Sequence, residues 1–79
     1  MEDTLLNRVY KHSKSFAKNL KLEREIRNLT QKELADMLGI SKQSYWGYES
    51  GISMPTLENL LKISLLFDLS LDELFEIDK

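Results

Sequence analysis

Residues 30–51, TQKELADMLGISKQSYWGYESG, constrain this chain most, because they specify two short helices and leave only a tight turn between them. Thr30 is a good N-cap, and Glu33 three residues on completes a capping box. Leu34, Ala35 and Leu38 recur at helical spacing and form one inner face. Gly39 then stops the helix as a left-handed C-terminal residue. Ile40 follows, and Ser41 caps a second helix over residues 42–50, which Gly51 ends. Helices joined this closely cross at a steep angle and need a small residue where they touch. Ala35 supplies it, and Gly39 supplies the positive φ of the turn.

The flanking segments also have the helical period. Phe16, Ala17 and Leu20 recur at i, i+1 and i+4, followed by Arg24 at i+8. Residues 52–55, ISMP, form a short loop. Thr56 starts a fourth helix, with Leu57, Leu60, Leu61, Ser64 and Phe67 expected on one face. Asp68 takes the left-handed turn after it, less readily than glycine. Ser70 caps a last short helix, and Glu73 again stands three residues after the cap. Before all of these, Leu5, Leu6, Val9 and Tyr10 are spaced as in an amphipathic helix. Residues 1–15 are therefore expected to be an N-terminal arm or extra helix, and residues 16–77 a single all-α domain of five helices.

Composition narrows the function classes. With no cysteine there is no disulfide framework and no thiolate chemistry. The single histidine, His12, lies in a polar stretch and is expected to be solvated rather than a metal ligand. No apolar run approaches the ~18 residues of a membrane span, and the N-terminus lacks a signal-peptide pattern. A soluble cytoplasmic protein is the expectation. No nucleophile with a base, no metal-ligand spacing and no phosphate loop is present, so neither an enzyme nor a cofactor is expected. The formal net charge is −2, which does not favour a nucleic-acid binder. The charge is uneven, however: residues 1–30 carry net +3, residues 31–51 net −1 and residues 52–79 net −4.

Taken in order, Phe16, Leu20, Arg24, LTQKELADMLGISKQS, Glu49, Gly51, Pro55, Leu57, Leu60 and LSLDELF resemble the lambda-repressor-like helix-turn-helix family, also called Cro-type or xenobiotic-response-element type. The resemblance covers about residues 16–75, with the helix-turn-helix proper at 31–50. It implies a compact five-helix DNA-binding domain of phage or bacterial regulator type that acts on an operator as a dimer. It also implies that Arg24 and Glu49 form a partly buried ion pair between helices.

A recognition helix presents its N-terminal residues to base edges. Here these are Ser41, Lys42, Gln43 and Ser44. Gln43 has the donor–acceptor pattern for adenine and Lys42 can reach guanine. Thr30 and Gln31 begin the preceding helix, whose free N–H groups suit a phosphate. Trp46 and Ser50 complete the expected DNA-facing set. Tyr45 and Tyr48 fall on positions the family keeps apolar and are expected in the core. Gly47 beside Trp46 offers no side chain.

Other features count against DNA. Residues 50–54, SGISM, carry no positive charge where the family usually places Lys or Arg, and phosphate contacts supply most sequence-independent affinity. Leu22 and Ile26 lie off the main core stripe, with cover expected from the Leu5/Val9 segment. Leu65, Leu66, Phe75 and Ile77 add more apolar surface. Contiguous exposed apolar surface marks interaction sites, and Trp is enriched at protein–protein hot spots. Two readings follow. The favoured one is a sequence-specific regulator that binds double-stranded operator DNA as a homodimer, through the fourth and fifth helices. The alternative is a helix-turn-helix protein that binds another protein, such as a repressor or a toxin. Its contact residues would be drawn from Trp46, Ile52, Met54, Leu65, Leu66, Phe75 and Ile77.

Overall fold

The computed structural model describes residues 4–77, and every element in that range is helical. The helices are α1 (Leu5–Ile26), α2 (Gln31–Leu38), α3 (Lys42–Ser50), α4 (Leu57–Phe67) and α5 (Leu71–Phe75). Each starts in the same way. The hydroxyl oxygen of Thr4, Thr30, Ser41, Thr56 or Ser70 accepts from the backbone N–H three residues on. Thr30 and Ser70 add full capping boxes with Glu33 and Glu73. These caps satisfy donors that a helix leaves open. Four helices end in the left-handed region, at Gly39 (φ 75°), Gly51 (φ 81°), Asp68 (φ 55°) and Glu76 (φ 56°).

All five helices contribute to one core. Phe16 and Leu20 come from α1, Leu34, Ala35 and Leu38 from α2, and Tyr45 and Tyr48 from α3. Ile63 and Phe67 come from α4, and Leu74 from α5. Several helix ends are closed by side chains from a neighbour. Lys62 Nζ donates to the carbonyl of Leu38 at the end of α2 (3.3 Å). Arg27 Nη2 donates to the carbonyl of Phe67 at the end of α4 (3.0 Å), with its guanidinium 4.3 Å from the Phe67 ring centroid. At α5, Asn19 donates to the carbonyl of Leu74 (2.9 Å), and His12 Nδ1 lies 2.9 Å from that of Phe75. Cations and amides at such ends satisfy the carbonyls the helix leaves unpaired.

Four expectations are corrected. The boundary between residues 15 and 16 falls inside α1, which runs unbroken for 22 residues; nothing in SKSFAK breaks a helix. Leu5 and Val9 do not cover Leu22 and Ile26, and all four are exposed. They share one rigid rod, far apart along it and on different faces. His12 is half-buried and bonded to the end of α5 rather than solvated. In α4 the buried face is Leu60, Ile63 and Phe67, with Ser64 beside them, while Leu57 and Leu61 stand outside. Apolar residues go most of the way round this helix, so periodicity cannot choose its inner face.

This register of α4 is checked by comparing two truncations in urea unfolding. Ile63→Ala is expected to cost about 2–5 kcal/mol, as for other fully buried aliphatic side chains. Leu57→Ala should stay within about 0.5 kcal/mol of the parent.

Candidate nucleic-acid interface

The site rests on a buried ion pair. Arg24 leaves α1 with its side chain 10% exposed and meets Glu49 of α3, whose side chain is 4% exposed. Arg24 Nε donates to Glu49 Oε2 at 2.6 Å and Nη2 to Oε1 at 3.1 Å, a two-pronged contact. Its Nη1 donates to the carbonyl of Leu29 at 2.7 Å, just ahead of α2. Glu49 accepts two further bonds, from the amide of Gln31 (3.1 Å) and from the hydroxyl of Tyr45. The carboxylate thus gathers α1, α2 and α3 at one point.

The electrostatics follow from this arrangement. Burial alone would raise the Glu49 pKa. The bonds from Arg24, Tyr45 and Gln31 together outweigh it and hold the carboxyl below its usual range. Burial, then the bond it donates to Glu49, push the Tyr45 phenol up, so it stays protonated. The guanidinium of Arg24 is raised chiefly by its bond to Glu49, against burial.

With Tyr45, Tyr48 and Glu49 held inward, the other side of α3 is fixed. Lys42, Gln43, Trp46 and Ser50 fall on one outward face by their spacing, and all are exposed. Trp46 keeps 47% of its surface. Ser41 and Ser44 stand at the start of α3, where Ser41 accepts from the Ser44 N–H and donates to its hydroxyl. Ser50 donates to the carbonyl of Gly47 (3.2 Å). Thr30 is exposed with its hydroxyl oxygen engaged in the capping box. Gln31 is tied to the ion pair and not simply displayed.

Of the interface candidates, Trp46, Ile52 (71%), Met54, Leu65, Leu66 and Ile77 are exposed. Phe75 is withdrawn from that set. It is half-buried and stacks on Phe16 with ring centroids 4.7 Å apart. Its place at the end of the short α5, against the α1 core stripe, accounts for this.

Gly47 was legible as an absent side chain but not as a contact. It is buried, and a Cβ there would lie 2.6 Å from Ser53 Oγ. Its carbonyl accepts from the N–H groups of Gly51, Ile52 and Ser53. The loop after α3 is therefore folded back over Gly47. The signal was present in the sequence, since a glycine inside a helix costs about 1 kcal/mol and calls for a packing reason.

The sequence profile of the Cro-type helix-turn-helix family matches residues 20–74, from the middle of α1 to the core residue of α5. The chain belongs to the lambda-repressor-like helix-turn-helix family. Among family relatives, it is 50% identical to the cryptic phage CTXphi transcriptional repressor RstR of Vibrio cholerae over 52 residues. That match covers 66% of this chain and 46% of RstR. It is 43% identical to the uncharacterized HTH-type transcriptional regulator YqaE of Bacillus subtilis over 61 residues, covering 77% of this chain and 53% of YqaE. An uncharacterized HTH-type transcriptional regulator of Methanocaldococcus jannaschii is 38% identical over 56 residues, covering 71% of this chain and 85% of that protein. The chain spans about half the length of RstR and YqaE. No solved structure gives a significant match. The family and these relatives are regulators of transcription, not enzymes. Among the described residues no helix is long and apolar enough to cross a membrane.

Two measurements check the ion pair. Arg24→Met strands Glu49 and should cost about 3–5 kcal/mol in urea unfolding, whereas Arg24→Met combined with Glu49→Leu should cost less than the two changes summed. The pH dependence has a definite sign. The folded Glu49 binds a proton less readily than the unfolded chain, so it stabilises the fold above the ordinary carboxylate pKa. That contribution should stay constant from about pH 6 to 8 and fall away as pH drops from about 4.5 through the lowered folded value. In Glu49→Gln the part of the acid loss due to this group should be absent.

Proposed function

We propose that the chain is a cytoplasmic, repressor-like transcription regulator that binds a pseudo-palindromic operator as a dimer. One observation carries the reading. The inward side of α3 is locked by Glu49, Tyr45 and Tyr48, so Lys42, Gln43 and Trp46 are displayed together on a rigid outward face. A rigid scaffold behind the reading residues is what a discriminating contact needs. Gln43 is assigned to a base edge and Lys42 to guanine or phosphate. Trp46 is assigned to a thymine methyl or the sugar wall. Thr30 and the N–H groups opening α2 face the phosphate chain, with Gln31 coupling that end to the ion pair. Kinship with a phage repressor supports the choice of repressor. Leu57, Leu61 and Leu65 form an exposed stripe on α4, with Leu66 and Met37 also exposed, and support a two-fold contact through α4. The fifth helix has no comparable face, because Leu71, Leu74 and Phe75 are turned to the core.

A second reading is favoured by the loop after α3. Residues 50–56 hold no cation, while Trp46 of α3 and Ile52 and Met54 of the loop that follows it are exposed. That surface suits a partner protein such as a repressor or toxin.

Selection from a random duplex pool, at moderate and near-physiological salt, separates the two. A palindrome enriched at both salts supports the operator reading, and salt-labile binding without enrichment supports the protein partner. Within the operator reading, Gln43→Ala should relax the preference at one position by about 1–3 kcal/mol while non-specific binding is kept. An equal loss on all duplexes would remove Gln43 from base reading. Trp46→Ala should change unfolding stability by no more than about 1 kcal/mol.

A further inference from the structure

We infer that the N-terminal turns of α1 form a second self-association surface, on which another copy of this chain lays its own α1 antiparallel. This contact goes beyond the α4 two-fold and lies on a different part of the molecule. Val9 precedes Phe16 by seven residues and Leu5 by eleven, so all three share a face of α1. Along that face Phe16 is fully buried, Val9 is 51% exposed and Leu5 is 75% exposed. The core-facing side of the helix thus continues past the body of the domain. Leu6 and Tyr10 flank it, and residues 4–11 are all exposed. The molecule measures 41 × 23 × 21 Å, and a 22-residue helix of ~33 Å accounts for the long axis.

The surface carries both halves of a contact. The projecting turns are a ridge of Leu5, Leu6, Val9 and Tyr10. Met54 of the loop after α3 and Ile77 beyond α5 border a groove shared with Leu5 and Val9. A patch that holds ridge and groove together is self-complementary, and a two-fold axis fills both at once. The exposed parts of these six side chains come to roughly 600 Å² per copy, so two copies reach the ~1,200 Å² at which specific interfaces begin. Lys11 of α1 shares a neighbouring cleft with Glu73 and Glu76 of α5 in the same copy, and Arg8 lines the groove itself, so the contact rests on apolar area rather than on charge.

The test is sedimentation velocity of the full chain from about 1 to about 300 µM, which reads dissociation constants in the micromolar range. The parent is compared with Val9→Glu, with Leu65→Glu and with both together. Circular dichroism first establishes that the variants keep their helices, as expected for exposed positions. Val9→Glu should weaken one association step at least tenfold, and Leu65→Glu should leave that step in place. If Val9→Glu alone yields monomer, the inference stands and the α4 two-fold falls. If Leu65→Glu alone yields monomer, the α4 two-fold stands and the inference falls. A parent that stays monomeric throughout overturns both. A second probe does not depend on the charged variant folding. The chain has no cysteine, so Leu6→Cys gives a single thiol whose mild oxidation should link two copies within minutes at concentrations where the parent associates. A linking rate no higher than for Lys21→Cys, an exposed α1 position outside both proposed contacts, would overturn the contact at equal concentration.

Discussion

The Arg24–Glu49 pair is the constraint on which the rest of this domain depends. Fixing two long charged side chains in the interior is expensive, and the expense is offset only when every remaining hydrogen-bonding position is filled. Here the carboxylate takes two bonds from Arg24, one from Gln31 and one from Tyr45, while Arg24 also holds the Leu29 carbonyl. No buried side-chain polar atom among the described residues lacks a partner. The partners sit on three helices, so the bonds form only when those helices are correctly placed. A purely apolar contact there would tolerate sliding, whereas this one does not. The placement of α2 against α3 is therefore set by directed bonds as well as by the apolar core that both helices share.

Most of this was legible in the sequence. The caps at Thr30, Ser41, Thr56 and Ser70 and the left-handed stops at Gly39, Gly51 and Asp68 are local devices, written in single residues and short spacings. What was not legible involved choices that local pattern leaves open. The apolar wrapping of α4 hid Ile63 as its buried centre. The length of α1 was obscured because its apolar face outruns the domain it packs on. Phe75 read as surface because its partner, Phe16, is distant in sequence. In the site itself, the outward face of α3 could be read from spacing once Tyr45 and Tyr48 were placed inside. The commitment of Gln31 to Glu49 and the closure of the loop over Gly47 could not, since both depend on atoms brought together by the fold.

Charge and shape divide the surface into regions with different work to do. The face of α3 offers one cation and neutral polar groups, with no basic loop behind it. Such a surface gains little from general attraction to phosphate and has to rely on matching the groove. The exposed leucines of α4 lie elsewhere, so an α4 contact need not compete with reading. Family membership accounts for the frame from residue 20 to residue 74. The first turns of α1 lie outside that span.

The ends of α2, α4 and α5 are each closed by a side chain from another helix, through Lys62, Arg27, and His12 with Asn19. An ordinary helix frays from its last turn without disturbing its neighbours. Here the last turn of one helix cannot open without releasing a group anchored on another. Amide hydrogens at these termini should therefore exchange with solvent on the timescale of global opening rather than of local fraying. The first two turns of α1 lie outside this ring of closures and should exchange faster than these termini.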